Sequence, residues 1–193
     1  MSLMVRDLSK AFGDLTVLSR VTLTFEDNGI YCLMGASGTG KTTFLRILMG
    51  LENKDFGNIA GTEGKRFSAV FQEDRLCEAY TPVDNVMMTA GPQVTRETAK
   101  RELCRLLPEE SVLRPVYTLS GGMKRRTAVC RALMASYDIL LMDEPFTGLD
   151  EETRAQVIRY VKEKTEGKLV ILSTHMEEDA AALGGKVVRL GWL

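Results

Sequence analysis

Alternating and unbroken apolar runs predict strands in the first part of the chain. Residues 21–25 (VTLTF) alternate apolar and polar positions, as a half-exposed antiparallel strand does, and we expect residues 1–26 to form strands throughout. Residues 30–34 (IYCLM) are apolar without a break, which is typical of a strand covered on both faces. The pattern therefore predicts an N-terminal antiparallel β-subdomain beside a buried, mostly parallel sheet.

A glycine-rich loop and a helix follow the first buried strand. Beyond the loop at residues 35–43, the apolar residues Phe44, Ile47 and Leu48 lie on one face of a predicted helix. Gly50 is expected at the end of this helix, because glycine readily adopts the left-handed conformation found there. This part of the chain therefore reads as strand, loop and helix.

The same order of strand and helix returns in the last third of the chain. Residues 138–143 (DILLMD) and 168–174 (KLVILST) are predicted strands, and residues 186–190 (KVVRL) are predicted to form the last one. A helix is expected over 151–167, and Gly167 is expected to end it. Alternating strands and helices of this kind predict the α/β class.

Residues 73–118 do not follow this alternation. They hold four prolines and an amphipathic helix predicted over 96–107. We interpret them as part of a helical subdomain, roughly 73–135, inserted into the α/β core. An ordinary crossover between strands is the alternative, but the stretch is longer than a crossover requires. The chain is therefore predicted to be a single domain, 1–193, with this insertion.

Composition argues against several classes of function. The chain has 193 residues, a net charge of −1 and a pI near 6.0, so it lacks a broad basic field for nucleic acid. No apolar run approaches the roughly 18 residues of a membrane span, and Arg6 and Asp7 stand where a signal peptide would be apolar. We expect a cytoplasmic protein. Its four cysteines fit no zinc pattern, so reduced, mostly buried thiols are expected.

Polar residues follow three of the predicted strands at the point where each strand ends. The glycine-rich loop starts at Gly35, directly after the predicted strand at 30–34. Asp143 and Glu144 follow the apolar run of the strand at 138–143, and His175 follows the strand at 168–174. Ligands of parallel α/β sheets bind beyond the carboxyl ends of the strands. These residues are therefore expected to meet at one edge of the sheet.

The glycine-rich loop matches the phosphate-binding pattern G-x-x-x-x-G-K-[ST]. In such a loop, backbone N–H groups point at phosphate oxygens, and the following helix adds partial positive charge. We expect Lys41 to reach the β- and γ-phosphates and the Thr42 hydroxyl to ligate Mg²⁺. A flexible glycine turn is the alternative. The residues expected to contact ATP are Gly35, Ala36, Ser37, Gly38, Thr39, Gly40, Lys41, Thr42 and Thr43.

Two adjacent acids and the single histidine are the candidates for chemistry. Asp143 is expected to hold Mg²⁺, a hard cation that takes few protein ligands. Glu144 is expected to orient and deprotonate the attacking water, although it could instead cap the following turn. His175 is expected to hydrogen-bond the γ-phosphate and the water, and a purely structural histidine is the alternative.

Six motifs resemble those of ATP-binding-cassette (ABC) ATPase subunits in their order and rough spacing. They are GASGTGKTT, the glutamine of VFQ, LSGGM, ILLMDEP, FTGLD and STH. The resemblance implies the P-loop NTPase fold. It also implies that Phe12 stacks on adenine, that Gln72 lies near Mg²⁺ and the attacking water, and that Asp150 contacts a partner subunit. Packing within the first sheet is the alternative for Phe12.

The LSGG motif is a second candidate phosphate cradle. In the family that it resembles, two chains pair head to tail, so Ser120, Gly121 and Gly122 would face the γ-phosphate held by the other chain. The resemblance therefore implies a homodimer or one half of a heterodimer. The basic residues 124–126 are expected to form a solvated helix face, with long-range attraction for phosphate as a lesser alternative.

The resemblance implies an ATP-hydrolysing subunit of a membrane transporter, peripheral on the inner face of the membrane and bound to separate membrane-spanning permease subunits. The sequence LSGGM is similar to nitrate-, sulfonate- and taurine-type importers. We expect the docking surface to run from Gln72 to about Asn85 and to include Arg75, Leu76 and Tyr80. The alternative is that these side chains belong to the core.

Two other functions are alternatives to transport. One is a non-transport ABC ATPase that acts in DNA repair or on the ribosome. Repair types carry a long coiled coil before the signature and translation types carry two cassettes, whereas this chain has a short gap and one set of motifs. The other is a module that binds ATP without hydrolysis, which Glu144 and His175 disfavour.

Overall fold

The computed structural model describes residues 2–190, so both ends of the predicted domain, 1 and 193, lie outside the described residues. Within 2–190 no helix is long and apolar enough to cross a membrane. The strands are β1 (Leu3–Phe12), β2 (Leu15–Phe25), β3 (Gly29–Met34), β4 (Phe56–Ala60), β5 (Phe67–Val70), β6 (Ile139–Asp143), β7 (Leu169–Ser173) and β8 (Lys186–Arg189). The helices are α1 (Lys41–Leu48), α2 (Pro82–Met87), α3 (Arg96–Cys104), α4 (Gly121–Met134), α5 (Glu151–Lys164) and α6 (Glu177–Leu183).

Two sheets form the framework. A three-stranded antiparallel sheet has the order β2-β1-β4. A five-stranded sheet has the order β5-β6-β7-β3-β8, and its neighbouring strands pair in parallel. The predicted α/β class, with an N-terminal antiparallel part and a buried parallel sheet, is therefore confirmed.

Alternate residues of the parallel sheet point into two separate hydrophobic cores, because successive side chains of a strand face opposite ways. On one face, Cys32, Leu140 and Leu172 pack with residues of α4 and α5. On the other face, Leu33 and Leu141 pack with residues of α1 and the antiparallel sheet. Burying each such leucine contributes about 1.5–3 kcal/mol. The unbroken apolar runs of the sequence thus reflect strands that are covered on both sides.

Helices α2, α3 and α4 lie between β5 and β6 in the chain, where the helical subdomain was predicted. Each begins after a hydroxyl N-cap, since Thr81, Thr95 and Ser120 accept hydrogen bonds from backbone N–H groups three residues on. In α2, Asp84 completes a capping box with Thr81. Local sequence therefore fixes where these helices start, while the subdomain bounds of roughly 73–135 stay a prediction.

The helix predicted over 96–107 is too long. α3 ends earlier, and the amides of Leu106 and Leu107 both donate to the Leu103 carbonyl, at 2.9 and 2.8 Å. Pro108 follows, and its ring disfavours helical backbone for the residue before it. The apolar spacing continues beyond the helix because Leu106 and Leu107 remain buried in the core.

Gly50 lies just beyond the end of α1 as predicted, whereas the helix predicted over 151–167 already ends at Lys164, before Gly167. Both glycines adopt the left-handed conformation. Gly50 has a φ of 69°, its amide donates to Ile47 O at 3.0 Å, and the Leu51 amide donates to Arg46 O at 2.9 Å. These two bonds form the Schellman motif that satisfies the last carbonyls of a helix. Gly167, with a φ of 72°, lies between α5 and β7.

The expectation of mostly buried thiols is wrong for two of the four cysteines. All four are free, but only Cys32 and Cys130 are buried, whereas Cys77 and Cys104 are exposed. Burial raises the pKa of Cys130 to about 12 and that of Cys32 to about 11. These two thiols therefore behave as small apolar side chains of the core.

Asn85 is a buried polar residue that holds the turn before α2. It is 0% exposed, accepts from the Cys77 amide at 2.8 Å, and donates to the Cys77 and Thr81 carbonyls at 3.0 Å each. We expect Asn85→Ala to lower the free energy of unfolding by about 1–3 kcal/mol, since it leaves Cys77 groups unpaired. Urea denaturation measures this loss. Asn53→Ala, at an exposed position, is the control, and an equal loss in both variants would contradict the assignment.

Candidate active site

The carboxyl ends of β3, β6 and β7 meet at one edge of the parallel sheet, beside a cleft of about 760 Å³. The pairing of β6 with β7 places Asp143 opposite Ser173, and the loop that starts at Gly35 follows the neighbouring β3. The residues that line the cleft are Phe12, Leu15, Val17, Gly35, Ser37, Gly38, Gly40, Lys41, Thr42, Thr43, Gln72, Arg125, Asp143, Glu144, Thr147 and His175. The expected meeting of three strand ends is therefore confirmed.

The loop between β3 and α1 packs closely against β2 and holds the Lys41 side chain through its own carbonyl groups. Gly40 is the N-cap of α1 with a φ of 85°, and a Cβ added there would lie 2.7 Å from Leu18 Cδ2. Any other residue would be strained and would collide. Lys41 is buried, and its Nζ donates to the Gly35 and Ala36 carbonyls at 2.8 and 3.0 Å. The ammonium group is thus held at the loop, inside the cleft.

Two of the predicted loop residues shape the loop rather than line the cleft. The Thr39 hydroxyl and amide both donate to the Ala36 carbonyl, at 2.9 and 3.3 Å, which closes a turn. The side of the loop that faces the cleft carries Ser37, Gly38, Thr42 and Thr43. α1 therefore begins at the cleft, and its partial positive charge points there.

Ser173 orders the two acids and was not identified from the sequence. Its hydroxyl donates to Asp143 Oδ1 at 2.6 Å and accepts from the Glu144 amide at 2.8 Å. Asp143 is buried, so this contact fixes one carboxylate oxygen and leaves the other for a ligand. The apolar pattern predicts β7 but not the register that places Ser173 beside Asp143.

Glu144 and His175 contact each other at the mouth of the cleft. His175 Nδ1 lies 3.0 Å from Glu144 Oε2, and the Thr147 hydroxyl donates to the same oxygen at 3.3 Å. Glu144 has a φ of 49°, a conformation that costs a residue with a side chain about 1–3 kcal/mol and often marks a functional site. The Thr147 contact keeps the capping alternative for Glu144 open beside the catalytic one.

The side chains predicted to hold Mg²⁺ carry the type of oxygen ligand that this ion binds. Within residues 2–190 there is no cluster of three or more His, Cys, Asp or Glu that could enclose a metal. Mg²⁺ does not need one, because it keeps several waters and takes phosphate oxygens together with one or two protein ligands. Thr42, Gln72 and Asp143 line the same cleft and offer a hydroxyl, an amide and a carboxylate oxygen.

Phe12 lines the cleft together with Leu15 and Val17. Its side chain is 47% exposed, and Lys10 Nζ lies 4.9 Å from the centre of its ring. The packing alternative required a ring buried in the antiparallel sheet, which this exposure does not support. An exposed aromatic face beside two apolar side chains suits a planar base.

The signature residues do not line the cleft of their own chain. Ser120 caps α4 by accepting from the Met123 amide at 3.3 Å, and it is exposed together with Gly121. Gly122 is half-buried, and a Cβ there would lie 3.4 Å from Leu149 Cδ2. The first turn of α4 therefore lies outside this chain's own cleft.

Asp150 likewise lies outside the cleft and has a local structural contact. It caps α5, accepting from the Thr153 amide at 2.9 Å and from its hydroxyl at 2.7 Å. The Thr153 N–H lowers the pKa of the Asp150 carboxyl below its usual range. The side chain is exposed and charged, so contact with a second chain remains sterically open.

The prediction of a solvated face for residues 124–126 is wrong. Lys124 pairs with Glu78 at 2.7 Å. Arg125 is buried and donates to backbone carbonyls of the segment after β5, and Arg126 donates to the Leu106 and Gly122 carbonyls. The guanidinium groups are drawn inward because they donate to backbone carbonyls, among them those of Phe71 and Gln72, which lie outside strands and helices.

The predicted docking segment is largely exposed up to residue 81, whereas Val83 and Asn85 at its far end are buried. Arg75 is exposed, Tyr80 is 53% exposed, and Leu76 is half-buried. Beside this segment, a groove of about 530 Å³ runs between the parallel sheet and the helices of the insertion. Its lining includes Leu51, which is 48% exposed, and Phe71.

Together, the fold and the cleft define a nucleotide-hydrolysing cassette, and comparison with known proteins identifies its family. The family model described as "ABC transporter" matches residues 18–147. The chain therefore belongs to the ABC transporter family and is an ATPase of that type.

Relatives of known name agree with this assignment. The chain is 38% identical over 185 residues to the aliphatic sulfonates import ATP-binding protein SsuB 3 of Rhodococcus jostii, covering 94% of this chain and 68% of the relative. It is 35% identical over 208 residues to the sulfate/thiosulfate import ATP-binding protein CysA of Yersinia pseudotuberculosis, covering 97% of this chain and 57% of that protein. The dimeric structure of MJ0796, described as a bacterial ABC transporter cassette, superposes with a TM-score of 0.84 at 26% identity, over 97% of this chain and 94% of that one.

Proposed function

We propose that this chain is the ATP-hydrolysing subunit of an importer and works in pairs at the cytoplasmic face of a membrane. The observation that carries the proposal is the separation of two phosphate-binding elements in one chain. The loop at Gly35–Thr43 lines the cleft, whereas Ser120 and Gly121 are exposed and do not line it. A second chain in head-to-tail orientation would bring its signature to this chain's cleft.

In the proposed mechanism, the candidate residues of the cleft either bind the nucleotide or act on the attacking water. Phe12 stacks on adenine, and the loop with Lys41 binds the β- and γ-phosphates. Glu144 accepts the proton of the attacking water, and His175 holds Glu144 and donates toward the γ-phosphate. Gln72 orients the water.

The metal has a supporting role in this proposal. Thr42 and Asp143 would hold Mg²⁺, with the Gln72 side chain beside it. When bound, Mg²⁺ supplies charge neutralisation for the phosphate oxygens. Ser173 keeps Asp143 and the backbone of Glu144 in fixed relative positions, so the ligand and the base stay aligned.

ATP would act as a bridge between two subunits. Ser120, Gly121 and Gly122 offer a hydroxyl, backbone N–H groups and a helix N-terminus to the γ-phosphate in the partner's cleft, and Asp150 lies beside that contact. Hydrolysis removes the group that both chains share and so weakens the pair. The dimeric structure of MJ0796 supports pairing of similar chains.

The permease would dock at the groove between the sheet and the inserted helices. The groove is lined by apolar residues such as Leu51 and Phe71. Exposed Tyr80 lies outside the groove, in the segment that follows Phe71. An amphipathic helix of a partner protein can lay its apolar face into a groove of this kind. The names of SsuB and CysA relatives support import of an oxyanionic solute. The short insertion between β5 and β6 disfavours the repair-type alternative.

Co-purification from membranes tests the transport function. We expect the tagged chain to bring down multi-span membrane proteins, and Leu51→Asp with Tyr80→Glu to lose them while ATP hydrolysis by the isolated chain persists. Phe56→Glu, at an exposed position on the antiparallel sheet, is the matched control and should retain them. Capture of ribosomes or DNA-repair proteins in place of membrane proteins would contradict transport.

A further inference from the structure

The segment that carries Gln72 has no regular secondary structure of its own. Residues 71–81 link β5 to α2 without helix or strand. The far end of this segment is anchored, since Asn85 bonds Cys77 and the Val116 amide donates to Tyr80 O at 2.9 Å. The near end, where Gln72 lies, must be held by other contacts.

Arg125 of α4 supplies those contacts. Its guanidinium donates to Phe71 O at 2.7 Å and to Gln72 O, and its Nε lies 3.2 Å from Asp74 Oδ1. The side chain is only 10% exposed, and it lines the cleft beside Gln72. A bidentate fork on two successive carbonyls fixes the orientation of the peptide as well as its position.

Asp74 holds the guanidinium in turn. Its carboxylate is partly buried, and burial raises its pKa against the opposing effect of Arg125, Lys124 and Arg131. Its Oδ1 makes an ion pair with Arg125 without hydrogen-bond geometry. Removing one partner of a buried pair leaves the other uncompensated, so Asp74 and Arg125 depend on each other.

A second arginine on the same helix extends the clamp. Arg131 donates to the Asp74 and Arg75 carbonyls at 3.0 and 2.7 Å. Arg75 has a φ of 47° and stacks its guanidinium on the Phe71 ring at 3.9 Å. The whole stretch 71–75 is therefore shaped by side chains of α4, and α4 begins at the signature residue Ser120.

We propose that Arg125 is a positioning residue for ATP hydrolysis, which holds the Gln72 backbone so that its side chain points into the cleft, and that it joins the signature helix to this glutamine. The inference rests on the proposed role of Gln72. It assigns Arg125 no direct contact with ATP.

A double-mutant cycle on the isolated chain tests this link. Arg125→Gln, Gln72→Ala and the double variant are compared by steady-state phosphate release. We expect Arg125→Gln to lower kcat about 10–100-fold, the range for a displaced positioning group, with KM unchanged within about twofold. In the Gln72→Ala background the same substitution should cost less than about twofold, because both act through one side chain. Arg101→Gln, on the exposed face of α3, is the matched control.

Each other outcome overturns the inference in a distinguishable way. Effects that multiply in the double variant would assign Arg125 a merely structural role. A large rise in KM would mean that Arg125 touches the nucleotide. An inactive Gln72→Ala with a normal Arg125→Gln would sink the inference and leave the role of Gln72 intact, whereas a normal Gln72→Ala would sink both. Arg125→Lys, which keeps the charge but loses the planar fork, covers a failure of Arg125→Gln to fold and should lose kcat partially.

Discussion

Replacing Glu144 with glutamine is expected to slow ATP turnover by ~10²–10⁴-fold while ATP binding persists. The amide has the size of the carboxylate and can still contact His175, but it cannot accept a proton from water. ATP bound but not hydrolysed should hold two chains together for longer. Phosphate release measures turnover, and equilibrium binding of a fluorescent ATP analogue measures affinity.

A control variant tests whether turnover depends on the position of Glu144 in the cleft and not only on its charge. Glu178→Gln, at an exposed position in α6, removes the same charge away from the cleft and should leave turnover unchanged. If Glu144→Gln hydrolyses ATP at the normal rate, the base lies elsewhere and Glu144 only caps the turn at Thr147. Restoration of turnover on raising the pH would likewise point to another base.

Replacing Gly121 with aspartate is expected to lower turnover by roughly 10²-fold or more, because it adds bulk and negative charge where the partner's γ-phosphate would lie. The single chain has room for the substitution, since a Cβ at Gly121 meets nothing within 4 Å. An acid in the first turn of α4 also interacts favourably with the helix N-terminus. The loss should therefore arise between chains and not within one.

The measurement for Gly121→Asp separates binding from pairing. ATP affinity of the monomer and the midpoint of urea unfolding should be normal, whereas ATP-dependent dimerisation, followed by light scattering, should disappear. Gly121→Ala adds volume without charge and should lose less activity. Loss of nucleotide binding by monomeric Gly121→Asp would place the signature in its own chain's site and end the two-chain proposal.

The spacing of apolar residues and glycines along the chain was sufficient to predict much of the fold. Strands β3, β6 and β7 were predictable because both of their faces are buried, and the Schellman glycine at Gly50 because its conformation demands glycine. The loop at Gly35–Thr43 was predictable because its shape depends on contacts within one short segment. These features are local, so their signal survives in the order of residues.

Features that depend on tertiary register were not predictable. Ser173 reaches Asp143 because β7 pairs with β6, and nothing in the run of residues 168–174 gives that alignment. Arg125 looked like one of three solvated charges, yet it satisfies carbonyls of a segment far earlier in the chain. The length of α3 was misjudged because buried leucines continue past its last turn.

The position of β7 between β3 and β6 also sets when this enzyme can first work during its own synthesis. A ribosome completes the loop at Gly35 early, but the strand that joins it to Asp143 emerges on the order of ten seconds later. Until then the unpaired edges of β3 and β6 can pair with strands of other chains. Chaperone dependence and aggregation of nascent chains should therefore be greatest for fragments that stop short of Leu169.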